Sequence, residues 1–139
     1  MLLGQFSPLP QIAEQIALFK SEVEACGRTF DPMSVGVARS LNVVRTKADY
    51  EKAIENRIAG RDRVDRLSQR PDAQKRYSTL SPAERREVAE GGTLYGTPDE
   101  VAAKLQALHD VGAEYVLLNS AGGPASLRCF AQEIMPAFR

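Results

Sequence analysis

Gly96-Thr97-Pro98-Asp99-Glu100-Val101 and, fourteen positions further on, Tyr115-Val116-Leu117-Leu118-Asn119 are the stretches whose reading decides the fold. The first is a capping box, a Thr followed three residues later by Glu, with Pro at the first helical position. Val101, Leu105 and Leu108 then lay an apolar stripe at helical spacing that ends at Gly112. The second reads as a strand, apolar on both faces and buried, with a polar exit at Asn119. Ser120-Ala121-Gly122-Gly123-Pro124 reads as a turn. Leu127, Phe130, Ala131 and Ile134 form a last amphipathic helix that Pro136 is expected to stop.

Working outward, Ile12, Ile16, Phe19, Val23 and Cys26 share one face of a helix over about residues 8–26, and Gly27 stops it as a left-handed C′ residue. The small and β-branched run 35–44 reads as a buried strand continued by a second short extended piece. Thr46, with Asp49 three residues on, opens a further helix that Gly60 interrupts at a cost of about 1 kcal/mol. Residues 57–86 mix basic and acidic side chains, from Arg57 and Arg61 to Arg70, Asp72, Lys75, Arg76, Arg85 and Arg86, and read as a solvated helical excursion, with a phosphate or partner site as the lesser alternative. Ser81-Pro82-Ala83-Glu84 is a second capping box, and its helix ends at Gly91-Gly92 before the β-prone Thr93-Leu94-Tyr95. Strands alternating with helices, one of them apolar on both faces, argue for a parallel sheet in an α/β arrangement.

The 139 residues suffice for one domain with a core, and 43% hydrophobic with 26% charged residues is average for a globular chain. Eighteen basic residues balance eighteen acidic ones, so no global field draws the chain to nucleic acid or to an anionic membrane. No apolar run approaches the roughly 18 residues of a membrane span, and the N-terminus lacks the basic and apolar regions of a secretory signal. Two distant cysteines, Cys26 and Cys129, make neither a disulfide framework nor a CxxC motif; they read as inert packing thiols in a cytoplasmic protein. No metal-ligand cluster, Ser/His/Asp set or Walker loop can be assembled.

The order and spacing of these pieces resemble the bacterial luciferase-like monooxygenases. The similarity is carried by 96–105, by Gly112-Ala113-Glu114-Tyr115-Val116-Leu117-Leu118-Asn119 with Gly122-Gly123, and by the tail 127–136. It is also carried upstream by Ala25-Cys26-Gly27-Arg28 and Val35-Gly36-Val37-Ala38-Arg39. The resemblance implies a (β/α)8 TIM barrel and oxidation chemistry with reduced FMN or the deazaflavin F420. A full barrel takes about 250 residues. This chain therefore reads as a partial barrel, its C-terminal βα units with a helical insertion over 57–92, present as a truncated member or fragment. The early strands that carry much of the family's flavin pocket have no counterpart in it. Three βα units leave two open sheet edges and an uncovered inner face. A homo-oligomer, or a second chain completing the barrel, is the expectation. The alternatives are a non-catalytic half-barrel remnant with a binding or structural role, and a different α/β fold such as an open three-layer sheet.

Barrel function sits at the C-terminal ends of strands. Gly96 and Thr97 stand at a helix N-terminus that attracts phosphate, although Thr97 equally serves as a simple cap. Gly122 and Gly123 either let a ligand phosphate approach or make a tight turn. The Asn119 amide either bonds a flavin or fixes its loop. Arg39 either pairs with an anionic ligand or forms a structural ion pair. These six are the candidate cofactor-binding residues; no catalytic residue is assigned. His109, late on an outer helix, reads as a surface residue.

Overall fold

The computed structural model describes residues 1–67 and 79–138. The elements run β1 (Leu2–Leu3), α1 (Leu9–Ala25), β2 (Gly36–Val43), α2 (Lys47–Leu67), α3 (Pro82–Gly91), β3 (Thr93–Gly96), α4 (Pro98–Asp110), β4 (Tyr115–Ser120) and α5 (Gly123–Cys129). A π-helical turn, Phe130–Ile134, and a 3-10 turn, Met135–Phe138, close the chain.

The local signals form where they are read. Gly27 takes φ +71 after α1, and the Arg28 N–H reaches back to the Val23 carbonyl. The Asp49 N–H donates to Thr46 Oγ1 at 3.1 Å, opening α2. Both capping boxes are complete: Ser81 with Glu84, and Thr97 with Glu100. Two readings need correction. Residue 60 does not break α2, which continues to Leu67, because Ala53 and Ile54 anchor it by packing with Ala89 and Tyr95. Pro136 does not stop the last helix; it lies inside the 3-10 turn, near the start of which a missing N–H costs no bond. The acidic and basic residues between 68 and 78 lie outside the described residues.

All strand pairs are parallel. β2 is the centre. β4 runs along one side of it, from Gly36↔Tyr115 to Leu41↔Ser120. The other side is shared: β1 pairs with Gly36 and Val37, and β3 with Ser40–Val43. β3 therefore does not lie between β2 and β4, as a simple run of neighbouring βα units would have it. β2 is also one continuous strand, not two pieces.

The register divides the sheet into two faces. Val37, Leu41, Leu94, Val116 and Leu118 share one face and pack with Ile12, Ile16, Val101, Leu108 and Ile134 from the helices. This is the main core. Gly36, Ala38, Ser40, Asn42, Tyr95, Tyr115, Leu117 and Asn119 share the other face. The expectation of a buried final strand fails here: Tyr115 is 42% and Leu117 37% exposed. Among the described residues no strand pairs with the outer side of β4, and no helix covers its Leu117 face.

Candidate functional site

At the C-terminal ends of the strands, on the Ser40 face, lies a cleft of about 520 Å³. Asn42 and Ser40 come from β2, Tyr95 from β3, and Asn119 with Ala121 from the exit of β4. The α2 residues Asn56, Arg57 and Arg61 wall one side, and Gln5 and Phe6 close another. Asn42, Ala53, Asn56 and Ala121 continue into a neighbouring hollow that includes Gly122.

Phe6 reaches the cleft because the N-terminal loop is clamped. Arg39 is only 3% exposed, and its guanidinium donates to the carbonyls of Gly4 (3.2 Å), Ser7 (2.8 Å) and its neighbour Ala38 (2.9 Å). Burial, and secondarily the charge of Arg57, lowers its pKa. The same loop crosses Gly92 so closely that a Cβ there would sit 2.2 Å from the Gln5 carbonyl oxygen, so no other residue fits without moving the backbone.

The strand ends are locked together by backbone and hydroxyl contacts. Ala121 and Gly122 N–H both donate to the Leu41 carbonyl. The Val43 N–H donates to the buried Ser126 hydroxyl at 2.7 Å. Gly122 lies against Asn42 and Ser126; an added Cβ would be 2.5 Å from the Ser126 Cβ, so this glycine allows the close approach of the β4 exit to α5. Ser40 and Tyr95 hydroxyls are 3.2 Å apart, and Lys104, its pKa lowered by burial, donates to the Tyr95 carbonyl at 2.6 Å.

The structure brings together only part of the predicted set. Asn119 lines the cleft and Gly122 the adjoining hollow. Gly123 begins α5, and its carbonyl accepts from the Ser120 hydroxyl. Gly96 and Thr97 are not with them: the Gly96 carbonyl accepts from the Val44 N–H, and Thr97 caps α4 beside a separate depression that includes Tyr50 and Glu100. Arg39 lies apart from them: strand alternation turns it to the face opposite Ser40, and its guanidinium donates to three carbonyls. The cysteines are not core packing residues either. Cys26 is exposed, and Cys129, half-buried, donates to Glu133, which also pairs with Arg45. Sequence reasoning passed over Phe6 and Asn56; Arg57 and Arg61 stand in the 57–86 run, where a phosphate or partner site is the lesser alternative. The available signal was the four-residue step between the two arginines on a helix following a strand end.

A parallel α/β sheet with polar side chains gathered at the C-terminal strand ends is a feature shared with (β/α)8 folds. The family model described as luciferase-like monooxygenase matches residues 1–115, and the chain belongs to that family. Solved structures share the fold. Monooxygenase RslO1 from Streptomyces bottropensis is 20% identical with a TM-score of 0.66 over 99% of this chain and 41% of its own. EDTA monooxygenase (EmoA) from Chelativorans sp. BNC1 is 18% identical, TM-score 0.63, over 98% and 38%. Riboflavin lyase (RcaE), solved with modified FMN and riboflavin, is 24% identical, TM-score 0.57, over 99% and 38%. The chain thus spans about two fifths of the length of these relatives. No curated protein matches it in sequence. Among the described residues no helix is long and apolar enough to cross a membrane.

Proposed function

We propose that this chain supplies one part of a flavin-dependent oxidoreductase of the monooxygenase type, and that the cleft on the Ser40 face takes the flavin, FMN or F420. The observation that carries this reading is the cleft itself: a small-molecule-sized hollow at the C-terminal strand ends, where barrels of this architecture place their ligands. Its lining fits a flavin on one side. The carboxamides of Asn42, Asn56 and Asn119 each offer a donor and an acceptor, which suits the alternating heteroatoms of a flavin ring edge. The Tyr95 ring forms part of the floor. A bound reduced flavin supplies the electrons for oxidation; this chain's residues bind and orient it.

The same face of the sheet is open beyond the cleft, toward the N-terminal ends of the strands. Leu2, at 65% exposed, and the Tyr115–Leu117 face of β4 are apolar and uncovered, which water does not favour. A second copy of this chain, another polypeptide, or sequence beyond these residues covers that face. The same exposure favours one other reading, a non-catalytic half-barrel that functions as an oligomer.

Calorimetric titration with oxidised and reduced FMN and with F420, with the mass measured by light scattering on the same sample, separates the two. Saturable binding near micromolar affinity, about −8 kcal/mol, supports the flavin reading. A well-folded oligomer that binds none of these supports the half-barrel. A stable, soluble monomer counts against a covering partner in either reading.

A further inference from the structure

We infer that the buried Ser40–Tyr95 hydroxyl pair donates one hydrogen bond into the cleft, to a carbonyl oxygen of a flat, conjugated molecule bound there. Both residues are only 3% exposed, and both line the cleft. Their hydroxyl oxygens are 3.2 Å apart, and among the described residues neither makes another hydrogen bond.

A count of protons gives the pair its direction. Two hydroxyls carry two protons, and only one can lie between the two oxygens. Whichever oxygen donates, the proton of the other has no acceptor among the described residues. A buried donor without an acceptor is costly, so the pair favours an acceptor that enters the cleft. The other buried polar side chains of the sheet are committed. The Thr93 hydroxyl donates to the Glu90 carbonyl at 3.0 Å, and Arg39 donates to three carbonyls. The Ser40–Tyr95 bond is also long, since hydroxyl pairs usually lie about 2.7–2.8 Å apart. Neither oxygen is held to the other against a better acceptor.

The donor is fixed in place before anything binds. The Tyr95 ring packs with Ala53, Ile54 and Ala89, and Lys104 holds its backbone carbonyl at 2.6 Å. Little more than the hydroxyl hydrogens is left to turn, so binding costs little side-chain freedom. The acceptor class follows from the surroundings. The Phe6 and Tyr95 rings line the cleft, with the carboxamides of Asn42, Asn56 and Asn119 beside them. Aromatic surface next to hydroxyl and carboxamide donors suits a flat ring bearing a carbonyl.

Two sources share this chemistry: a ring carbonyl of a flavin, or a carbonyl on an aromatic substrate. Assignment to the flavin rests on the flavin-binding reading of the cleft; the donor pair itself does not. The competing explanation is that the spare proton meets only solvent.

The test is binding of riboflavin and of acetophenone to the full chain, each isotope-labelled at its carbonyl carbons, followed by titration and by infrared difference spectroscopy. The double variant Ser40→Ala/Tyr95→Phe removes both hydroxyls and strands neither, so it is expected to fold; circular dichroism checks this. The expected result is a carbonyl stretch lowered on binding to wild type and returned toward its free frequency in the double variant. Affinity should fall about fivefold with it. If the riboflavin carbonyls respond in this way, the pair holds the flavin ring. If acetophenone alone responds, the pair holds a substrate carbonyl. An acetophenone response with no riboflavin binding leaves the pair standing and sinks the flavin reading. Riboflavin binding with the same stretch and affinity in wild type and double variant, and acetophenone equally indifferent, overturns the pair and leaves the flavin reading intact. Wild type that binds neither probe overturns both. Should the double variant fail to fold, the two single variants carry the comparison, and probe stretches unchanged in both of them overturn the proposal.

Discussion

β2 and β4 are neighbours in one sheet, and both read as apolar strands, yet they live in different surroundings. In β2, Val37 and Leu41 are fully buried under α1 and α4, and both sides of the strand are paired. In β4, one side is unpaired among the described residues, and Tyr115 and Leu117 face water. Composition sets which residues prefer burial; the number of layers and neighbours sets which achieve it. β2 ends in a clamped, polar cleft, whereas β4, among the described residues, has one side without a strand neighbour.

The sharpest way to break this comparison is a pair of truncations. Leu41→Ala is expected to cost about 2–5 kcal/mol in denaturant unfolding, because it opens a cavity in a closed core. Leu117→Ala is expected to cost less than about 1 kcal/mol in an isolated chain, since its side chain is already partly in water. Equal costs would show that β4 is covered in solution. Arg39→Gln comes next. It removes a buried fork that bonds three carbonyls and is expected to cost about 1–3 kcal/mol. It should also loosen the 4–7 loop, read as faster amide exchange there while β4 is unaffected. An unchanged loop would remove Arg39 from the role of clamp.

A smaller effect tests α4, the helix that leads into β4. Thr97→Ala is expected to cost about 1 kcal/mol by uncapping α4. The carboxyl of Glu100 is held below its ordinary range, first by the Thr97 backbone N–H and then by the Thr97 side chain. A depressed carboxylate pKa contributes stability above the unfolded value, about 4.3, and loses it as pH falls through the folded value. Glu51, bonded by Arg86, and Glu133, bonded by Arg45, shift in the same direction. Stability should therefore be level above about pH 5 and fall below about pH 4, with a shallower fall in Glu100→Gln. A pH profile identical in Glu100→Gln and wild type would contradict this. Smallest of all is Gly36→Ala. An added Cβ meets only the side-chain ends of Leu117 (3.2 Å), Leu2 (3.4 Å) and Tyr115 (3.5 Å). These have room to move on an open face, so a cost under about 1 kcal/mol is expected; a larger cost would mean that the face is packed.

Much of the fold is legible in the sequence because it is written in local chemistry. The caps at Thr46, Ser81 and Thr97 and the stop at Gly27 act on residues three or four away, and each forms as read. What escapes is non-local. Residues Leu2–Leu3 are too short to announce a strand, and they become one only by pairing with Gly36 and Val37. Asn119 is legible as a polar strand exit that lines the cleft, whereas the place of Arg39 is not legible, because an arginine after an apolar run looks the same whether it meets a ligand or a carbonyl. Arg57 and Arg61 sit in a mixed-charge run that resembles a solvated face; only the fold brings Phe6, fifty-one positions before Arg57, beneath them.

The sequence by itself determined the helices, the parallel α/β character and the family to which the chain belongs, because periodicity, caps and motif order are properties of neighbouring residues. The tertiary structure alone decided that β3 and β4 flank β2, that β4 is an edge among the described residues, and that the cleft joins Gln5 and Phe6 to Asn119 and Ala121. Those outcomes depend on which surfaces meet, and that is settled only when distant segments compete for the same edge and the same face of one sheet.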